Sequence, residues 1–194
     1  MDISREQAKD SLEQIDAVSN RTRRTIASAY DSALLIMWGL IWIAAFIGTH
    51  FILTWVWLIW FGLGGIGAVA TFLVVWRQFR QANPIKMLAD KKIGQRIFWF
   101  WVLLFVYAFV WLSILKPYHG IQVNAFLCTA IMFAYVVMGI WSESRYMLWL
   151  GLAVTGITLV GFYVIPPGYY CLWMAPTAGG ALLGTGLYIR LRWR

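Results

Sequence analysis

The distribution of charge constrains this chain more than any other feature. All 24 acidic and basic residues lie outside four long stretches. These charge-free stretches are Ser32–Trp76, Ile97–Leu115, Pro117–Ser142 and Tyr146–Ile189. Charged side chains are rare in membrane spans because their transfer into hydrocarbon is costly. The pattern therefore predicts an integral membrane protein, and it removes the residue types that most membrane pumps use for chemistry.

The apolar stretches have the length of spanning helices. A span needs roughly 20 mostly apolar residues, and 61% of the 194 residues are hydrophobic. Only helices and closed barrels satisfy the backbone within lipid, and the run from Phe98 to Leu104 lacks the alternation of a barrel strand. We therefore predict an all-α, polytopic membrane protein whose six transmembrane helices form three hairpins. The predicted helices are 32–49, 54–76, 97–115, 121–141, 146–165 and 169–189.

Basic residues lie almost entirely on one side of the predicted membrane. Of the 16 lysines and arginines, only Lys116 falls in an outer loop. Short loops rich in Lys and Arg remain in the cytoplasm. We therefore predict a bacterial inner (cytoplasmic) membrane protein with both termini in the cytoplasm. The net charge of +8 follows from this topology, so no nucleic-acid partner is predicted.

The first 29 residues precede the transmembrane domain at 30–194 and are polar. Residues 4–27 contain no Gly or Pro and carry a narrow apolar stripe, which predicts a cytoplasmic amphipathic helix on the membrane surface. A docking helix or short coiled coil for a protein partner is the alternative. Three arginines near its end would contact anionic lipid headgroups. They are Arg21, Arg23 and Arg24.

The basic loop 77–96 is the largest internal connection. Asn83 and Pro84 form a helix start signal and Gly94 a stop signal, which predicts a short interfacial helix. A plain basic loop is the alternative. Its lysines would also contact anionic lipid headgroups. They are Lys86, Lys91 and Lys92.

Glycines in helices 2 and 6 predict close helix packing. The run from Gly62 to Gly67 matches the GxGxxG dinucleotide fingerprint. That motif requires a preceding strand and a helix that opens in water, whereas this run lies inside a spanning helix. Packing is therefore the better interpretation. The predicted packing residues are Gly62, Gly64, Gly65, Gly179, Gly180 and Gly184.

Pro176 interrupts helix 6. Proline cannot donate a hydrogen bond to the carbonyl of Leu172, which predicts a kink, and broken helices often line transporter sites. Tryptophan, tyrosine and threonine side chains at a similar depth could line a small ligand cavity. Ordinary interhelical hydrogen bonds are the alternative. The candidate cavity residues are Trp38, Trp42, Tyr107, Tyr135, Thr155, Pro176 and Thr177.

Histidine and cysteine give little sign of metal or redox chemistry. His50 and His119 lie in predicted outer loops without a carboxylate, so no metal site is predicted. Cys128 and Cys171 differ in predicted depth by roughly 6–8 Å, which disfavours a disulfide. We predict two free thiols, no cofactor and no catalytic residue, since the predicted membrane core lacks His, Asp and Glu.

The chain resembles an uncharacterised family of small six-helix bacterial inner-membrane proteins. The resemblance covers about the first 45 residues. It rests on Leu12-x-x-Ile15, Thr22-Arg23-Arg24-x-Ile26-Ala27 and Leu35-Ile36-x-Trp38-Gly39-x-Ile41-Trp42. It implies a six-helix membrane protein and carries over no activity and no functional residue.

Three functions are compatible with these patterns. The first is a non-catalytic subunit, assembly factor or regulator that acts through helix packing and its basic cytoplasmic surface, with a protein partner or a second copy. The second is a facilitator or carrier for a neutral or lipophilic small molecule near the Pro176 kink. The third is an enzyme at the inner interface that uses Asp31, Asp90 or Glu143.

Overall fold

The computed structural model describes residues 32–81, 84–116, 119–142 and 144–192. These residues are 94% helical and contain no strand, which confirms the all-α prediction. Helices α1 to α5 are Ser32–Phe51, Val56–Gln81, Pro84–Ile114, Gly120–Trp141 and Arg145–Tyr163. Helix α6 consists of Tyr170–Met174, a π-helical segment Ala175–Gly179, and Gly180–Arg192. The predicted helix at 4–27, with Arg21, Arg23 and Arg24, lies outside the described residues.

Five segments of the structure are long and apolar enough to cross a membrane. They are Ser32–Phe51, Leu53–Arg77, Gly94–Ile114, Gly120–Trp141 and Arg145–Tyr163. Helix α6 is not among them, because the π-helical segment divides it and the longer α-helical piece has only 13 residues. Apolar helices of this length identify a membrane protein.

Helix α3 differs from the sequence-based prediction. It begins at Pro84, and it continues through Gly94 to Ile114 over 31 residues. The prediction that Gly94 ends a separate interfacial helix is therefore wrong. A glycine inside a helix costs only about 1 kcal/mol relative to alanine, which the helix formers on both sides outweigh. At 1.5 Å per residue α3 is about 46 Å long, so it extends beyond a hydrocarbon layer of about 30 Å.

The core of the molecule lies among α1, α4, α5 and α6. Phe46, Met132, Val154 and Met174, one from each of these helices, are completely buried. By contrast, only 6% of the apolar window of α2 and 11% of that of α3 are buried, against 39% for α1. Helices α2 and α3 are therefore peripheral to a four-helix core.

Helices that follow one another along the chain run in opposite directions, which brings the arginine-bearing termini together. Three pairs of close neighbours define this end: Ser32 with Gly186, Phe100 with Trp141, and Gly139 with Leu148. Helices α1, α3 and α5 begin here, whereas α4 and α6 end here. Helix α2 also ends here, since its contacts with α1 are antiparallel. We call it the basic end, because it carries Arg77, Arg96, Arg145 and Arg190.

Candidate functional site

The predicted cavity residues do not converge on one site. Trp42 is 4% exposed within the core, whereas Tyr107 is 63% exposed on α3. Pro176 is exposed on α6. Tyr135 is half-buried, and its ring lies 6.5 Å from that of Trp101 on α3. The prediction grouped these residues by their depth in the membrane, but in the structure their side chains face different surroundings.

Trp38 has a hydrogen-bond partner on a neighbouring helix. Its indole Nε1 donates to the hydroxyl of Thr71 at 3.1 Å. This bond joins the first half of α1 to α2. Near the other end of α1, the indole of Trp60 on α2 donates to the hydroxyl of Thr49 at 3.0 Å. The rings of Phe46 and Trp60 meet edge to face at 5.1 Å. The two hydrogen bonds are of the interhelical kind that was the alternative to a ligand cavity. Together with the ring contact, they hold the peripheral α2 against the core.

The interruption of α6 at Pro176 is confirmed by the π-helical segment Ala175–Gly179. Proline supplies no N–H to the preceding turn, and local π adjustments re-satisfy such freed backbone groups in membrane helices. The hydroxyl of Thr177 donates to the carbonyl oxygen of Trp173 at 2.5 Å. By comparison, Thr155 donates to Gly151 at 2.8 Å within the unbroken α5. Both hydroxyls bond within their own helices.

A polar group joins α4 and α6 at the end opposite the basic end. The side-chain oxygen of Asn124 accepts from the hydroxyl of Tyr170 at 3.1 Å and from the thiol of Cys128 at 3.6 Å. Both Cys128 and Cys171 are free, as predicted. This group could not be predicted from the sequence, because nothing in the sequence indicates that α4 and α6 are neighbours. Its side chains satisfy one another, which is a structural role.

Glycine marks the closest helix approaches, although mostly not where it was predicted. A Cβ atom at Gly179 would lie 2.7 Å from Ile43 on α1, and one at Gly39 would lie 2.6 Å from the backbone nitrogen of Leu183 on α6. At the other predicted positions a Cβ atom would meet nothing within 4 Å, so packing among the described residues does not explain them. They are Gly62, Gly64, Gly65, Gly180 and Gly184.

A surface groove of about 530 Å³ lies on α3 at the basic end. It is lined by Gln95, Arg96, Trp99, Phe100 and Leu103. None of the predicted cavity residues lines it. The lysines predicted to contact lipid lie on the preceding turns of α3, and their side chains are outside the described part. They are Lys86, Lys91 and Lys92.

The described residues contain no group of three or more side chains that could hold a metal ion. Asp31, Asp90 and Glu143, the carboxylates considered for an interfacial enzyme, lie outside the described side chains. The backbone N–H of His119 donates to the side chain of Gln122 at 2.9 Å in a capping box at the start of α4.

Comparisons with known proteins give no functional assignment. No family model, curated protein or solved structure matches the chain. The resemblance to small six-helix inner-membrane proteins therefore stays a prediction.

Proposed function

We propose that the protein is a non-catalytic membrane subunit, assembly factor or regulator that binds another membrane helix through α2. The observation that carries this proposal is an open glycine surface on α2. Gly62 and Gly65 are exposed, and a Cβ atom at either would meet nothing within 4 Å. Small residues in membrane helices allow close approach of a second helix, and none of the described helices of this chain lies at that position.

The surroundings of Gly62 and Gly65 suit such a contact. Phe61, Ile66 and Val69 are 70%, 64% and 61% exposed, so large apolar side chains border the two glycines. A facing helix could pack its side chains into the depression that the glycines leave. Helix α2 is anchored from its other side, since Gly67 lies against Trp38 and Ile41 of α1. The anchored helix thus offers its free face to a partner, either another protein or a second copy.

The proposed topology is six spans in three hairpins, with α6 and its π-helical segment as the sixth span. The alternating helix directions and the shared basic end support this arrangement. The proposed membrane is the bacterial inner membrane, with the basic end and both termini in the cytoplasm, because short basic loops are retained there. The basic surface would then face anionic lipid and cytoplasmic partners.

A carrier for a neutral or lipophilic molecule is the second candidate. The observation that favours it is the π-helical segment at Pro176, since π-bulges frequently occur at functional sites. The dispersal of Trp38, Tyr107, Tyr135 and Pro176 over different surfaces weakens it. A carrier would need these residues to line a continuous cavity in another conformation.

Extraction of the protein from its native membrane into lipid discs separates the two candidates. Mass spectrometry would identify what remains bound. A protein or second copy in fixed stoichiometry is the expected result for a subunit or regulator. A specific small molecule on a lone chain would instead support the carrier, and a lone chain with nothing bound would contradict both.

A further inference from the structure

The groove on α3 combines a cation with an apolar floor at the basic end. Gln95 and Arg96 lie at its terminal side, and Trp99, Phe100 and Leu103 continue it toward the middle of the bundle. Arg96 and Leu103 are seven residues apart, which is about 10 Å along a helix axis. The lining therefore changes from charged to apolar over about the depth that separates a lipid headgroup from its upper acyl chains.

One wall of this groove is fixed by a second helix. The ring of Phe100 lies 5.7 Å from that of Trp141 at the end of α4, and Phe100 is half-buried. Trp99 is 60% exposed, so its indole is available to an occupant. Tryptophan side chains favour the membrane–water boundary, where an amphipathic occupant would meet them. The groove is thus partly preformed and not only a gap between flexible side chains.

We propose that this groove binds one anionic phospholipid. Its phosphate would lie against Arg96 and Gln95, and an acyl chain would cover Trp99, Phe100 and Leu103. Arginine suits this role because its planar guanidinium presents several donors to phosphate oxygens. The positive basic end attracts anionic lipid over zwitterionic lipid. This site is distinct from the surface contacts predicted for the lysines of the preceding turns.

Native mass spectrometry of the full-length protein in detergent tests the site with two lipids of identical acyl chains. Dioleoyl phosphatidylglycerol is anionic, and dioleoyl phosphatidylcholine is zwitterionic. In the wild type, the first should bind more tightly. Arg96→Gln should weaken phosphatidylglycerol about fivefold, the effect of one basic residue near an anionic headgroup, and should weaken phosphatidylcholine less, because the choline cation of that lipid already offsets the charge of its phosphate. Arg190→Gln, at the basic end but outside the groove, should leave both unchanged.

A second variant tests the apolar part. Leu103→Gln should weaken both lipids by the same factor, because it places an amide against the acyl chain. Equal effects of Arg96→Gln and Arg190→Gln would overturn the proposal, since they indicate diffuse surface attraction. Absence of a preference for phosphatidylglycerol would also overturn it. So would tighter binding of both lipids after neutralisation of the five acidic residues at 2–16. The gain in positive charge favours only the anionic lipid, whereas release of the chain's own N-terminal segment from the groove would favour both.

Discussion

At the scale of single residues, two features hold the helices together. The first is glycine at positions where two backbones meet, as at Gly39 and Gly179 between α1 and α6. The second is the tryptophan indole, which donates to a neighbouring helix at Trp38, Trp60 and Trp173. The sequence shows that glycine and tryptophan are frequent, but it does not show which of them contact another helix. Their partners depend on the order of helices in the bundle, which hydropathy does not specify.

The close-approach glycines should be intolerant of even a methyl group. A Cβ atom at Gly39 would lie 2.6 Å from the nitrogen of Leu183, so Gly39→Ala should destabilise the protein by about 1–3 kcal/mol through overpacking. Gly156→Ala is the matched control, since its Cβ atom would meet nothing within 4 Å. It should be neutral or slightly stabilising. Unfolding midpoints measured in the same detergent would contradict this account if the two variants behaved alike.

The bond between Trp38 and Thr71 should be measurable as a coupling energy. A double-mutant cycle of Trp38→Phe and Thr71→Val should give about 0.6 kcal/mol, the average for hydrogen bonds between membrane helices. A cycle of Trp38→Phe with Thr49→Val serves as the control. Thr49 accepts from Trp60 instead, so those two changes should add. Additivity in both cycles would show that the indole bond contributes nothing.

At the scale of elements, the sequence predicted where helices occur more reliably than where they are interrupted. All six helices were expected, and Pro176 correctly indicated a break in α6. Gly94 incorrectly indicated a break in α3. The difference is physical, because proline removes a donor and clashes with the preceding turn, whereas glycine only raises the entropic cost of helix formation. A continuous α3 in turn creates the groove from Arg96 to Leu103, which the sequence did not reveal.

The hydroxyl of Thr177 should matter more than a similar hydroxyl in an unbroken helix. It donates to Trp173 beside the π-helical segment, where the regular backbone pattern is interrupted. Thr177→Val should therefore cost about 1 kcal/mol, the usual net value of a hydrogen bond. Thr155→Val is the control, because Gly151 lies in a regular helix that retains its backbone donors. Unfolding of the two variants in detergent would compare their losses of stability. An equal loss would contradict the role assigned to Thr177.

At the scale of the whole molecule, a four-helix core carries two peripheral helices, and charge is concentrated at one end. The sequence predicted the charge distribution from the loops alone. It could not predict that α2 and α3 are peripheral, since they are about as apolar as the core helices α1 and α4. The open glycine surface of α2 and the lipid groove of α3 both follow from this peripheral position.

The proposed orientation predicts which end reacts with reagents outside the cell. In a background of Cys128→Ala and Cys171→Ala, Lys116→Cys should be labelled by a membrane-impermeant maleimide in intact cells. Arg190→Cys should be labelled only after the membrane is opened. Both positions are exposed, so accessibility on the protein does not limit either reaction. The reverse pattern would place the basic end outside.

The most direct test of the central claim is the mass of the protein extracted in lipid discs. The chain alone is 22.3 kDa, and the wild type should form a larger complex. Gly62→Ile with Gly65→Ile should reduce it to the single chain, because bulk on the open α2 face prevents close helix approach. Gly156→Ile, at an equally open glycine on α5, should leave the complex intact. A wild-type protein that is already a single chain, or a complex that survives the double substitution, would contradict the proposal.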